Sequence, residues 1–282
     1  MVFEKEIEVA RAAARRSAEL ALRHQAAGLQ AETKADNSPV TVADKESERL
    51  IVAALEEAFP DDGFLGEEGT RKESKSGRRW ILDPIDGTRD FVRGNPLWSV
   101  LIGLEDHGEM VAGVAHLPVL GDTYFAARGG GAYRNDSRIR VSAISEISKA
   151  VLSLNGISRM SDARFAGTVI DWAGRFWSCR SLGGTPDAML MAAGQMDVWV
   201  EPKVAAWDLA ATQVILEEAG AVFFSFSGER TIYGGSGAAC TPGLEAELRA
   251  FLGGYQGELV FKEPAPTAPR RSIADRALET PE

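Results

Sequence analysis

Three apolar runs in the first half of the chain, "LWSVLIGLE" (97–105), "EMVAGVAHL" (109–117) and "DTYFAA" (122–127), are separated only by "DHG" and "PVLG". Connections that short are turns, and parallel strands would need a crossover of a dozen or more residues, so these runs must pair antiparallel. From Ala150 onward the pattern changes. "AVLSLN", "WSCRS", "MDVWVE" and "AVFFSF" alternate with helical candidates at 161–174, 186–193 and 208–219, which is the signature of an α/β arrangement. The chain therefore predicts an α+β first half (1–149) joined to an α/β second half (150–262) in one domain, with no internal repeat.

Ahead of the strands, Phe3, Ile7, Ala10, Ala14, Ala18 and Leu22 recur at spacings of three and four, the stripe of an amphipathic helix ending near Gly28. Residues 43–58 read as a second helix with Leu50, Ala53, Ala54 and Leu55 inside, stopped by "FPDDG". Residues 263–282 hold prolines and scattered charge without apolar periodicity, so a mobile tail is expected there.

Acidic residues outnumber basic ones by 41 to 31, giving a formal net charge of -10. That balance argues against nucleic acid or an anionic membrane as partner. An anionic substrate would need a local positive charge, which a bound cation could supply. Cys179 and Cys240 lack C-x-x-C spacing, which predicts buried thiols in a reducing compartment rather than a zinc site. The first residues include acids and no apolar signal region, and no run approaches the roughly 18 apolar residues of a membrane span. A cytoplasmic location is the expectation.

One stretch carries chemistry. In "WILDPIDGT" (80–88) an apolar strand leads into Asp83 and Asp86, flanking Pro84 and Ile85. Pro84 stiffens the turn, and the two carboxylates with the Ile85 carbonyl are hard oxygen ligands of the kind Mg²⁺ takes. Alternatively, Asp83 ends a strand and Asp86 caps a helix beginning at Gly87 and Thr88. Glu67 and Glu68 in "FLGEEGT" and Asp208 in "AAWDLAAT" add further acids; each has its own bland reading, as a solvated glutamate or a helix cap. Gathered at one site without a cation, these acids would repel one another. His24, His107 and His116 sit in no supporting motif for nucleophilic catalysis.

The ordered set Asp44, "EE" at 67 and 68, "DPIDGT" at 83–88 and "WD-x-AA" at 207–211 resembles the inositol monophosphatase family of Mg²⁺-dependent, lithium-sensitive phosphomonoesterases. The resemblance spans about residues 5–255 and implies a layered αβαβα sandwich with the site where the two halves join, and in many such families a homodimer. Carried over by position, it implies that Glu67, Asp83 and the Ile85 carbonyl hold one Mg²⁺, and that Asp83, Asp86 and Asp208 hold a second. A third, weaker ion would lean on Glu67, giving two to three ions per site, with Mn²⁺ as a substitute. Thr88, hydrogen-bonded to Asp44, would orient and help deprotonate the attacking water, with Glu68 in a supporting place.

For the substrate, the backbone N–H groups of Gly87 and Thr88 would face the phosphate from a helix N-terminus. Glu201 matches the family position that hydrogen-bonds a polyol hydroxyl. The loop "LGGTPD" (182–187), with Gly183 and Gly184, would line the same pocket, the glycines permitting close backbone approach. Lys34 matches a lysine near the family's active site, with an exposed loop lysine as the alternative.

"DFVRGNPLWSVLIGL" and "GVAHLPVLGDTYFAARGGGAY" are similar to the histidinol-phosphate phosphatase branch, but "GGTPDAM" departs from that branch's Gly-Asp-Cys/Ala-Tyr segment. Histidinol phosphate and inositol monophosphate are therefore both expected substrates. A nucleotide-derived bisphosphate, or a binding or regulatory role on the same fold, are the alternatives.

Overall fold

The computed structural model describes residues 3–28, 31–33, 39–160 and 167–253. Lys34 and the expected tail at 263–282 lie outside the described residues, as do residues 161–166 of one helical candidate. No described helix is long and apolar enough to cross a membrane.

Helix α1 (Glu4–Ala27) turns Ile7, Ala10, Ala13, Ala14, Ser17, Ala18 and Ala21 inward and ends at Gly28, whose φ of 88° suits a residue without a Cβ. That small-residue stripe lets α1 pack closely. Strands β1 (Ala31–Thr33) and β2 (Pro39–Thr41) pair antiparallel and lead into α2 (Val42–Ala58). At the start of α2 the Thr41 hydroxyl accepts from the Ala43 N–H, while Asp44 accepts from the Thr41 N–H.

The phase of α2 differs from the sequence expectation. Ala53 is exposed and Leu50 and Ala54 are only half-buried; the interior face carries Asp44, Ser47, Glu48, Ile51 and Leu55. The apolar residues misled because the buried face of this helix includes two carboxylates, which hydrophobic periodicity counts as solvent-facing.

Strands β3 (Gly63–Gly66), β4 (Arg71–Lys72) and β5 (Arg78–Asp86) precede the short helix α3 (Thr88–Val92). Next come β6 (Ser99–Asp106), β7 (Glu109–Leu117), β8 (Asp122–Ala127), β9 (Gly131–Arg134) and β10 (Ser137–Ile139). They form one sheet in the order β10-β9-β8-β7-β6-β5-β3-β4. The β6–β7–β8 meander is antiparallel as the short turns require, and only β3 runs parallel to its neighbour β5.

The second half holds β11 (Val151–Leu154), α4 (Ile157–Met160), α5 (Val169–Ala173), β12 (Ser178–Arg180), α6 (Gly184–Ala192) and β13 (Val198–Pro202). It closes with α7 (Ala206–Glu218), β14 (Val222–Phe224), β15 (Ser236–Cys240) and α8 (Glu245–Gly253). Its sheet runs β12-β11-β13-β15-β14, parallel on the β12 side and antiparallel on the β14 side. Cys240 is buried, but Cys179 is exposed, contrary to expectation, because β12 is an edge strand.

Strand alternation builds the layers. Trp80, Leu82, Val100 and Ile102 face α1 and α2 in one core, whereas Ile81 and Leu101 face α6 and α7 in another. That second core also takes Trp199, Phe223 and Ala239 from the smaller sheet, whose other face, with Val198, Val200 and Phe224, packs against α5 and α8. The result is an αβαβα sandwich with α6 and α7 as the middle layer.

Two glycines set how close α7 comes to the large sheet. A Cβ on Gly103 would lie 2.6 Å from the Ala210 Cβ, and one on Gly113 would lie 2.7 Å from the Ala211 carbonyl oxygen. The "AA" that follows Asp208 is therefore a contact surface. It seats the N-terminal half of α7 against β6 and β7, beside β5, which carries Asp83 and Asp86.

Candidate active site

At the end of β5 the ladder breaks register. Asp83 pairs with Leu101 and Asp86 with Ser99 on β6, so three steps on β5 match two on β6. Residues three apart on an unbroken strand face opposite sides, and the one extra residue of a bulge returns Asp86 to the side of Asp83. Pro84 sits in the break, where a missing N–H costs no ladder bond. Asp83 Oδ1 accepts the Ile85 N–H at 3.0 Å, which tightens the turn.

Asp208 arrives from the opposite layer, in the first turn of α7. Its Oδ2 accepts the Ala205 N–H at 2.8 Å; Ala205, not Asp208, is the N-cap, and Asp208 reaches back to it from the third helical position. Ligand oxygens of Asp83, Asp86 and Asp208 lie within 4.8 Å of one another. Glu67 follows β3, where its N–H donates to the Leu82 carbonyl at 3.1 Å, and its carboxylate acts on the charge of Asp83.

This convergence is electrostatically costly by itself. Burial, and then the charges of Glu67, Asp86 and Asp208, push Asp83 well above the ordinary carboxylate range. Asp208 is pushed up to about 7, by loss of hydration and then by Asp86. Asp86 is raised mainly by loss of hydration, against hydrogen bonds from Thr185 and Ser99 that favour its charged form. A set of hard oxygen donors that can share charge only with a cation fits Mg²⁺. Glu67, Asp83, Asp86, Asp208 and the Ile85 carbonyl are the groups that could hold it.

Beside the cluster, Thr88 Oγ1 donates to the Ile85 carbonyl at 3.1 Å and stands 3.5 Å from Asp44 Oδ1. The expected Thr88–Asp44 pair is thus brought together, at the long limit of a hydrogen bond. Asp44 is buried and held by Thr41, whose N–H and hydroxyl reach Oδ2 at 2.7 and 2.6 Å. Burial raises its carboxyl, opposed by those two hydrogen bonds.

A cavity of about 570 Å³ opens over these groups, lined by Glu67, Asp83, Asp86 and Thr88 together with Asn155, Gly184, Glu201 and Trp207. Gly87, Gly183 and Arg159 also line it. Burial pushes Glu201 well up, and Asp86 and Asp208 push it further. Glu68 does not line the cavity; its backbone N–H is held at 2.8 Å by Glu48. Asp86 is not the cap of α3, because Gly87 occupies that position with φ of 86°.

Sequence reasoning missed Glu48. Its carboxylate is buried, accepts the Glu68 and Thr70 N–H groups at 2.8 and 2.9 Å, and occupies the space a Cβ on Gly66 would need. The available signal was its place one helical turn after Asp44, on the same face of α2. The histidines are engaged elsewhere, with Glu46, Asp106 and Thr123 as partners of His24, His107 and His116.

The sequence model of the inositol monophosphatase family matches residues 3–253. A histidinol-phosphatase of Chlorobaculum parvum is 41% identical over 209 residues, covering 74% of this chain and 81% of that protein. An inositol-1-monophosphatase of Rhizobium meliloti is 37% identical over 196 residues, covering 68% and 74%. Among solved structures, the extragenic suppressor protein suhB of Bartonella henselae superposes with a TM-score of 0.81 at 30% identity, covering 88% of this chain and 98% of its own.

Proposed function

Because the chain belongs to the inositol monophosphatase family and is a phosphomonoesterase of that type, we propose that it hydrolyses a small hydroxylated phosphate ester, L-histidinol phosphate first and inositol monophosphate second. The observation that carries this reading is the convergence of Asp83, Asp86 and Asp208 within 4.8 Å in a cavity that Glu201 also lines.

In this reading Glu67, Asp83 and the Ile85 carbonyl, with Asp86 and Asp208, hold two to three Mg²⁺ ions. Such ions offset the charge of a phosphate dianion and lower the pKa of water, the chemistry that phosphomonoester hydrolysis needs. Thr88 accepts a hydrogen bond from the attacking water and passes its own proton toward Asp44, whose raised carboxyl suits a proton acceptor. Gly87 and Thr88 border the phosphate. Glu68 acts behind Glu67, through the loop they share. Gly183, Gly184 and Glu201 meet the leaving group.

The acidic wall at Glu201 favours a leaving group rich in hydrogen-bond donors. An ammonium is the strongest such donor, which, with the name of the Chlorobaculum relative, puts histidinol phosphate first. Inositol monophosphate stands second because "GGTPDAM" departs from the histidinol-phosphate branch and a relative of similar identity carries the inositol name.

The test is inorganic phosphate release from L-histidinol phosphate and myo-inositol 1-phosphate, side by side, with Mg²⁺ and with a chelator. A hundredfold preference in kcat/KM, about 2.7 kcal/mol in transition-state binding, would assign the ester. Turnover unaffected by chelation would overturn the metal assignment. Absence of turnover on both esters would favour the binding or regulatory alternative.

A further inference from the structure

We propose that Asp187, absent from the metal cluster and from the cavity lining, sets substrate selectivity by fixing the backbone of the 182–184 loop against the leaving group; this rests on the phosphatase reading above. Asp187 lies in the first turn of α6 and is fully buried. Its Oδ2 accepts three hydrogen bonds, from Ser153 Oγ at 2.8 Å and from the Leu182 and Gly183 N–H groups at 3.0 and 3.3 Å. Its Oδ1 has no partner among the described residues. A buried carboxylate with one unpaired oxygen is expensive to keep, and what it does here is tie two consecutive amides of a glycine loop.

Without that tie the Leu182 and Gly183 end of the loop loses its side-chain anchor. Gly183 and Gly184 stand at φ of 126° and 34°, conformations that glycine reaches but does not prefer uniquely. Three contacts fix the loop at its far end. Trp199 Nε1 donates to the Gly184 carbonyl at 3.3 Å, and Thr185 hydrogen-bonds Asp86 through both backbone and side chain. A Cβ on Gly184 would lie 3.6 Å from the Glu201 carboxylate and 3.7 Å from that of Asp86. The loop thus lies against both the acid cluster and the Glu201 carboxylate. Asp187 fixes one end of it, and Trp199 and Thr185 fix the other.

Because Asp187 bonds the loop and Ser153 on β11 but none of the clustered acids, its removal should change how the leaving group is held and leave the phosphate end intact. The experiment compares wild type with Asp187→Ala and Asp187→Asn. It measures kcat and KM for two hydroxylated esters, L-histidinol phosphate and myo-inositol 1-phosphate, and for p-nitrophenyl phosphate, whose leaving group offers no hydroxyl or ammonium. Amide hydrogen exchange at Leu182 and Gly183 is followed in parallel.

The expected result for Asp187→Ala is a tenfold or larger fall in kcat/KM for the hydroxylated esters, mostly in KM. Turnover of p-nitrophenyl phosphate should stay within threefold and exchange at the two amides should quicken at least tenfold. Asp187→Asn keeps one acceptor oxygen and should move the same quantities in the same direction by less; it decides the matter if the alanine variant does not fold. Unchanged exchange, or equal loss on all three esters in an active folded variant, would overturn the inference alone. Wild type that hydrolyses none of the three would overturn the phosphatase reading, and the selectivity claim with it.

Discussion

Asp83 and Asp86 are three residues apart on one strand, yet a bulge turns both carboxylates to the same side, within 4.8 Å of each other. Replacing Asp86 by Asn keeps an oxygen for the Ser99 and Thr185 donors while removing one of the mutually repelling charges. The metal-free Asp86→Asn protein should therefore melt no lower than wild type. The rise in Tm on adding Mg²⁺ should shrink sharply, and phosphate release should fall at least a hundredfold, about 2.7 kcal/mol. Thermal unfolding with and without Mg²⁺, alongside the assay, checks both parts; full Mg²⁺-dependent turnover would remove Asp86 from the site.

Much of this site is legible in the sequence because its acids come in short contiguous blocks. "DPIDGT" alone specifies the turn, the paired carboxylates and Thr88, and "WD-x-AA" specifies both an acid and the small residues that seat its helix. The meander is legible because three-residue and four-residue connections leave only antiparallel pairing. What is not legible depends on burial of polar groups. Glu48 and Asp187 look like surface acids in a pattern of hydrophobicity, although each is buried to hold loop amides. The same blindness shifted the expected inner face of α2 by one residue at Leu50 and misplaced Ala53. Cys179 was misread because edge position, which exposes it, is a property of sheet order and not of local sequence.

Glu48 supports the loop that carries Glu67. Glu48→Ala would strand the Glu68 and Thr70 N–H groups, at about 1–3 kcal/mol for each group left without an acceptor. It would also free Gly66, whose missing Cβ leaves room for the carboxylate. Both Tm and Mg²⁺ affinity should fall, the latter because Glu67 loses its fixed position; Glu48→Gln, with one acceptor oxygen, should be milder on both. Isothermal titration with Mg²⁺ checks this, and an alanine variant that loses stability while binding Mg²⁺ as wild type does would confine Glu48 to folding.

Gly113 couples the sheet to the site through α7. A Cβ there would meet the Ala211 backbone at 2.7 Å, and backbone cannot move aside as a flexible side chain would. Gly113→Ala should cost about 1–3 kcal/mol, the usual range for overpacking, and should weaken Mg²⁺ binding by displacing Asp208, which precedes Ala211 by less than one turn of the same helix. Urea unfolding and Mg²⁺ titration together test it. A variant destabilised by that amount with unaltered Mg²⁺ affinity would mean that the seat of α7 does not govern the position of Asp208.

The acid cluster also fixes a pH dependence whose sign follows from its raised carboxyls. A carboxyl with a folded pKa above its unfolded value binds more protons in the folded state, so its contribution is fully present at low pH and is lost as pH rises through the folded pKa. For Asp208 that loss runs from near 3.8 up to about 7, and Asp83 and Glu201 are raised in the same direction. Glu217, paired with Arg230 and Arg128, is shifted the opposite way, and its contribution is complete once pH exceeds the ordinary glutamate range. Between pH 6 and 8 the cluster should therefore dominate. Metal-free protein should melt lower at pH 8 than at pH 6, and the gain in Tm from saturating Mg²⁺ should be larger at pH 8, because the cation and the protons compete for the same oxygens. A Mg²⁺ gain that is larger at pH 6 would contradict the assignment of these carboxylates as the ligands.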